Sequence, residues 1–139
     1  MADSEQRIAD GTIIHTPSNI WGNVCIGRNC KIAAFVEIGD GVTIGDECKI
    51  EAFAFIPPGI TIGNRVFIGP HVCFTNDKYP GIGKDWHMPI TIVEDYVSVG
   101  ANATILPGVR LGFGCTVGAG SVVVEDVHQM TTVKGNPAR

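Results

Sequence analysis

Residues 24–50 read VCIGRNCKIAAFVEIGDGVTIGDECKI, and isoleucine falls at 26, 32, 38, 44 and 50. The step is six. It extends backward through Ile20, Ile14 and Ile8 and forward through Ile56, Ile62, Ile68 and Phe74, so twelve consecutive positions carry a large apolar residue. A second register runs through Val93, Val99, Ile105, Leu111, Val117 and Val123. Neither the helical period of 3.6 nor the simple alternation of a long strand generates such a step.

Four residues after each anchor sits a small or β-branched residue, as at Thr12, Ser18, Val24, Cys30, Val36, Val42, Cys48, Ala54, Val66 and Val72. That residue lies two before the next anchor, and a period of two on a strand turns both side chains to one face. Each hexad therefore predicts a short strand with two inward residues, then a turn. Glycine often follows the anchor, as at Gly27, Gly39, Gly45, Gly63 and Gly69, where it permits backbone angles that other residues resist. Three hexads close a triangular coil, so anchors 18 residues apart stack directly. About six rungs at roughly 4.8 Å give a prism on the order of 29 Å long. A β-sandwich is excluded, since its strands recur at about 8–12 residues and do not hold one strict period. The expected fold class is all-β, a parallel β-helix forming one domain over residues 1–139.

Composition fits a globular chain, with 45% hydrophobic residues and a formal charge of −4. Acidic and basic residues are interspersed, so no broad positive surface of the kind nucleic acid requires is expected. The polar start, Met1 to Asp10, has no apolar run, and the chain is expected to be cytoplasmic without membrane insertion.

The step breaks once. From Phe74 to Val93 is 19 residues instead of six, an insertion of about 13 at one corner over roughly residues 75–88. It reads TNDKYPGIGKDWHM and gathers Asn76, Asp77, Lys78, Tyr79, Lys84, Asp85, Trp86 and His87. Long polar loops on rigid scaffolds commonly carry function, although Asn-Asp and Tyr-Pro-Gly are also ordinary turn sequences. On the face leading into this corner the outward residues are Asn19, Glu37, Phe55, Cys73, Thr104 and Val122, and the Phe55–Cys73 pair suggests a subunit interface there.

The hexads, the loop and the closing Gly135-Asn136-Pro137-Ala138-Arg139 together resemble the left-handed β-helix (hexapeptide-repeat) acyltransferases over nearly the whole chain. Within them, Phe74-Thr75-Asn76-Asp77-Lys78-Tyr79-Pro80 resembles a segment of the nucleotide-linked amino-sugar N-acetyltransferases. The resemblance implies a left-handed coil, a homotrimer with sites between subunits, acetyl-CoA as co-substrate, an amino-sugar acceptor and a role in surface polysaccharide synthesis. It implies that Asp77 accepts a proton from the reacting amine or holds it, and that Asn76 orients it. His71, taken to face the same corner, is an auxiliary candidate. Tyr79 and Lys78, with Phe55 and Glu51, are the expected acceptor contacts. For CoA, the small residues Ser98, Gly100, Ala101, Ala119 and Gly120 would admit a pantetheine arm, and Lys134 and Arg139 would meet its phosphates.

Related sugar O-acetyltransferases carry a Gly-His-Pro element whose histidine is the general base. Here Tyr79 precedes Pro80, which favours an amine acceptor, since an amine attacks once neutral whereas a hydroxyl needs a base. An O-acetyltransferase using His71 or His87, or a non-catalytic scaffold, are the alternatives. Cys30, Cys48 and Cys115 occupy small inward positions and are expected to be reduced core thiols. No metal is expected: the spacing of His15, His71, His87 and His128 does not match the three-histidine zinc site of the carbonic anhydrases that share this scaffold.

Overall fold

The computed structural model describes residues 5–83 and 85–139; Lys84 of the loop lies outside them. No helix occurs among the described residues, and short strands stack into three parallel sheets of six, seven and six strands. Sheet A contains Gln6–Ile8, Val24–Ile26, Thr43–Ile44, Ile60–Ile62, Thr91–Val93 and Arg110–Leu111. Sheet B contains Ile13–Ile14, Lys31–Ile32, Lys49–Ile50, Phe67–Ile68, Ser98–Val99, Thr116–Val117 and Thr132–Val133. Sheet C contains Asn19–Ile20, Glu37–Ile38, Phe55–Ile56, Cys73–Phe74, Thr104–Ile105 and Val122–Val123. The chain visits A, B and C in turn, which makes a β-solenoid with three edges.

Register follows the anchors. Ile26 pairs with Ile44, Ile32 with Ile50 and Ile38 with Ile56. Across the loop Ile62 pairs with Val93, so the stack resumes in the same column after the 13 inserted residues. The anchors and the small residues two before them form one core: Ile32, Ile38, Ile56, Ile68, Phe74 and Ile105 are fully buried. Ile8, on the first described rung, is 43% exposed. The strict step ends at Val123. Val127 then bridges to Leu111, and Thr132–Val133 adds a seventh strand to sheet B that the step of six did not anticipate.

The inward thiols act as hydrogen-bonding spacers. Thr12 Oγ1 donates to the Gly27 carbonyl at 2.6 Å and accepts from the Cys30 N–H at 3.0 Å. One rung on, Cys30 Sγ donates to the Gly45 carbonyl at 3.1 Å and accepts from the Cys48 N–H at 3.4 Å. Cys48 Sγ repeats the pattern on Gly63 at 3.1 Å. All five cysteines are free thiols.

The corners demand left-handed backbone. Between sheets B and C this falls on Phe35, Phe53, His71 and Asn102, with φ of 63, 65, 60 and 61°. Equal backbone angles point these side chains the same way, and the rings of Phe35, Phe53 and His71 stack with centroids 5.1 and 4.8 Å apart.

Candidate active site

The inserted loop leaves the solenoid at the edge between sheets C and A. Thr75 still behaves as part of a rung, donating from its N–H and from Oγ1 to the Ile105 carbonyl at 3.0 and 2.8 Å. Asn76 Nδ2 donates to the Pro58 carbonyl of the preceding rung at 2.9 Å, which leaves Oδ1 as the free acceptor of that amide. Asp77 Oδ1 accepts from the Tyr79 N–H at 3.2 Å, an Asx-type turn that starts the excursion.

The returning limb lands on the neighbouring residue. Thr91 N–H donates to the Gly59 carbonyl at 2.9 Å. A Cβ on Gly59 would lie 2.9 Å from the Pro89 oxygen and 3.1 Å from Met88 Cγ, and Gly59 has φ of +100°. Glycine is needed there on both counts. Both limbs are thus fixed to Pro58-Gly59, the outgoing one by Asn76, next to Asp77, and the returning one by Thr91, four residues beyond His87.

Between the limbs lies a cavity of about 350 Å³ lined by Asp77, Lys78, Tyr79, Asp85, His87 and Pro89. Asp85, His87 and Pro89 are alternate residues of the returning limb. The intervening Trp86 and Met88, and then Ile90, are exposed and do not line it. The Lys78 ammonium lies 5.8 Å from the Tyr79 ring centroid. Two carboxylates, an ammonium, an imidazole and a phenol around a volume in the small-ligand range suit a polar acceptor that bears a proton to be lost.

The expected trio is divided. Asn76 and Asp77 follow the Cys73–Phe74 strand, whereas His71 sits in the turn before it, with its ring stacked on Phe53. The reading that His71 faces the loop's corner is corrected: a hexad carries the chain from one edge of the prism to the next, and five extended residues span up to about 16 Å. Glu51 also lies at the edge between B and C, with Oε1 3.2 Å from Lys49 Nζ. Phe55 lies on sheet C beside Cys73, 38% exposed. Neither lines the loop cavity.

The residues expected to meet CoA share that second edge. Ser98 opens the sheet B strand of its rung, Gly100 and Ala101 turn towards sheet C, and Ala119 and Gly120 repeat the turn one rung on. A Cβ on Gly100 would lie 2.6 Å from the Ala119 nitrogen, so rung stacking alone requires this glycine. Lys134 and Arg139 exchange backbone hydrogen bonds of 3.1 and 3.0 Å, which brings two cationic residues together beyond Gly118.

Sequence reasoning did not select Pro58, Gly59 or Pro89. The Pro57-Pro58-Gly59 run is a legible turn signal, but its loop partners Asn76 and Thr91 follow 18 residues after Pro58 and 32 after Gly59, and only the fold joins them. A second cavity, about 420 Å³, lies on sheet A around Glu94, Arg110, Asp126 and His128. Its guanidinium is engaged by Glu94 at 2.6 Å. Among the described residues no three His, Cys, Asp or Glu gather in a metal-holding group.

Fold and loop define a class: a hexad-built parallel β-solenoid with a polar corner loop. The family model described as the hexapeptide repeat of succinyl-transferase matches residues 23–56 and 90–125, on either side of the loop, and that of the bacterial transferase hexapeptide matches 41–76. The chain belongs to the hexapeptide-repeat transferase family. Among curated relatives, a Clostridium perfringens 2,3,4,5-tetrahydropyridine-2,6-dicarboxylate N-acetyltransferase is 58% identical over 48 residues, 34% of this chain and 20% of that one. A putative acetyltransferase of Schizosaccharomyces pombe is 38% identical over 82 residues, 55% of this chain and 39% of that one. The matches therefore span well under half of each relative's length.

Among solved structures, PerB from Caulobacter crescentus in complex with CoA and GDP-perosamine superposes with a TM-score of 0.80 at 26% identity, over 92% of this chain and 56% of that one. A mutant of AntD, an N-acyltransferase from Bacillus cereus in complex with dTDP and coenzyme A, gives 0.83 at 25% identity, over 96% and 83%.

Proposed function

We propose that the protein is an acetyl-CoA-dependent N-acetyltransferase whose acceptor is a nucleotide-linked amino sugar, acting in the cytoplasm in the synthesis of surface polysaccharide. The observation that carries this reading is the loop cavity, in which Asp77 is held one residue from the fixed Asn76 and faces a polar space of about 350 Å³. In this reading Asp77 holds the acceptor amine, the free Oδ1 of Asn76 orients it, and Lys78 and Tyr79 meet the rest of the acceptor. The likeness to PerB and AntD, whose solved complexes contain CoA with a nucleotide sugar or dTDP, supports the choice of substrates.

The donor groove runs along the other edge, past Ser98, Gly100, Ala101, Ala119 and Gly120, with the phosphates at Lys134 and Arg139. Because loop and groove occupy different edges of one prism, the complete site forms where the loop of one subunit reaches the groove of another. A homotrimer provides this three times. His71, Phe55 and Glu51, on or beside the groove edge, then contribute from the groove side.

The test incubates the protein with acetyl-CoA and a panel of nucleotide amino sugars and hydroxyl sugars, following release of free thiol, while sedimentation reports the mass. Turnover with amines alone, in a species of three chains, is the expected result. Acetylation of hydroxyl sugars, or silence across the panel with no thermal stabilisation by CoA, would sink the reading.

A further inference from the structure

We propose that the early rungs of the edge between sheets B and C hold the nucleobase of the acceptor, in a cavity beside Phe35 and Glu37. The inference rests on the acyl-transfer reading above and adds the place of the nucleotide to it.

That edge has two halves. In the rungs after the loop its turns carry Gly100-Ala101 and Ala119-Gly120, whereas before it the turns carry the stacked rings of Phe35, Phe53 and His71. Phe35 and Phe53 stay 54% and 52% exposed despite lying 5.1 Å apart with planes only 5° from parallel. Phe35 is the last ring of the column, and Pro17 takes the equivalent place one rung earlier. Beside them opens a cavity of about 340 Å³ lined by Pro17, Ser18, Asn19, Phe35, Val36 and Glu37, at the small end of the ligand range.

The polar rim of this cavity accepts hydrogen bonds. Asn19 Nδ2 donates to Glu37 Oε1 at 3.2 Å, which leaves Glu37 Oε2 and Asn19 Oδ1 as acceptors. Among the described residues no cation pairs with Glu37. Uracil, thymine and guanine each present a ring N–H on the pairing edge, and a carboxylate binds such a donor strongly. Adenine presents a lone pair at that place and is repelled. An aromatic side chain stacks on any base, so Phe35 supplies affinity and Glu37 the choice.

The direction of the acceptor follows from the two halves. His71 belongs to the rung that carries the loop, and Phe35 lies two rungs before it, about 10 Å away at the spacing of parallel strands. The donor reaches the loop's level along the small residues of the later rungs. An acceptor with its amine at the loop therefore extends its ribose and diphosphate the other way, towards Phe35.

The experiment titrates nucleoside diphosphates into the full chain by calorimetry, with CoA saturating so that the donor groove is filled. At least one of UDP, dTDP and GDP should bind more tightly than ADP. Phe35→Ala should weaken that binding about 10-fold, the scale of a lost base–aromatic stack, and raise KM for the nucleotide amino sugar with kcat kept. Glu37→Gln should narrow the preference over ADP. Phe113→Ala, which removes an exposed ring from the edge between A and B, is the control and should match wild type, with sedimentation and melting temperatures alike. Wild-type affinity for the preferred diphosphate in both Phe35→Ala and Glu37→Gln overturns the proposal while acyl transfer stands, as does an ADP affinity equal to the best of the three. A wild-type protein that binds none of these nucleotides and turns over no amine removes both readings.

Discussion

Asp77 and Asn76 adjoin in sequence but differ in freedom. Asn76 is tied to Pro58, while Asp77 keeps one oxygen on the Tyr79 N–H and faces the cavity. Asp77→Asn keeps the shape and removes the charge, so on the proposed function kcat for the amine acceptor should fall by about 10²-fold with sedimentation and melting temperature unchanged. Thiol labelling tests the core at the same scale. Cys25 is exposed, and Cys30, Cys48 and Cys115 are buried. The hydrogen bond with Cys30, and burial, push the Cys48 thiol up, and burial does the same to Cys73. A thiol reagent at neutral pH should modify Cys25 readily and the three buried thiols only on unfolding; fast modification of Cys48 in the native state would contradict the ladder of thiols.

At the scale of the element, the loop and the rungs are separable. Excising residues 76–88 leaves Phe74 and Val93 six apart, so the solenoid should fold with near-native β circular dichroism while acceptor turnover disappears. Gly59→Ala acts more subtly. It forces a side chain into φ of +100° and against Pro89 and Met88, so it should cost about 1–3 kcal/mol and displace the limb that carries His87. Activity should therefore fall before the fold fails, as read by kcat against melting temperature.

For the molecule as a whole, stability rests on one column of stacked side chains. Ile68→Ala, at a fully buried rung centre, should cost about 2–5 kcal/mol by chemical denaturation. Alkali acts through the same core. Burial, and to a lesser extent Glu94, push the Cys115 thiol up to about 11, against 9.0 for a free thiol. The unfolded chain therefore gives up this proton first. Stability contributed by the thiol is complete below pH 9 and lost on the way to 11, on the order of 1–2 kcal/mol, and a Cys115→Ala chain should lack this component of the pH profile.

Much of this was legible in the residues. The step of six specified strand, inward face and stacking order, because each rung repeats the environment of the last and one period encodes them all. It also located the loop, as the place where the period fails. The seventh strand of sheet B escaped because Val123 and Val133 are ten residues apart, off the step. The position of His71 escaped because three residues along the sequence is a short distance only until a corner intervenes.

Sequence alone determined the solenoid and its core columns, since these depend on neighbours at fixed offsets. Tertiary structure decided which groups share a site. It fastened both limbs of the loop to Pro58-Gly59, set His87 across a cavity from Asp77, and put His71 and the small residues Gly100, Ala101, Ala119 and Gly120 on another edge. Those relations depend on closure of an irregular loop against a distant rung, and no periodic pattern encodes such a contact.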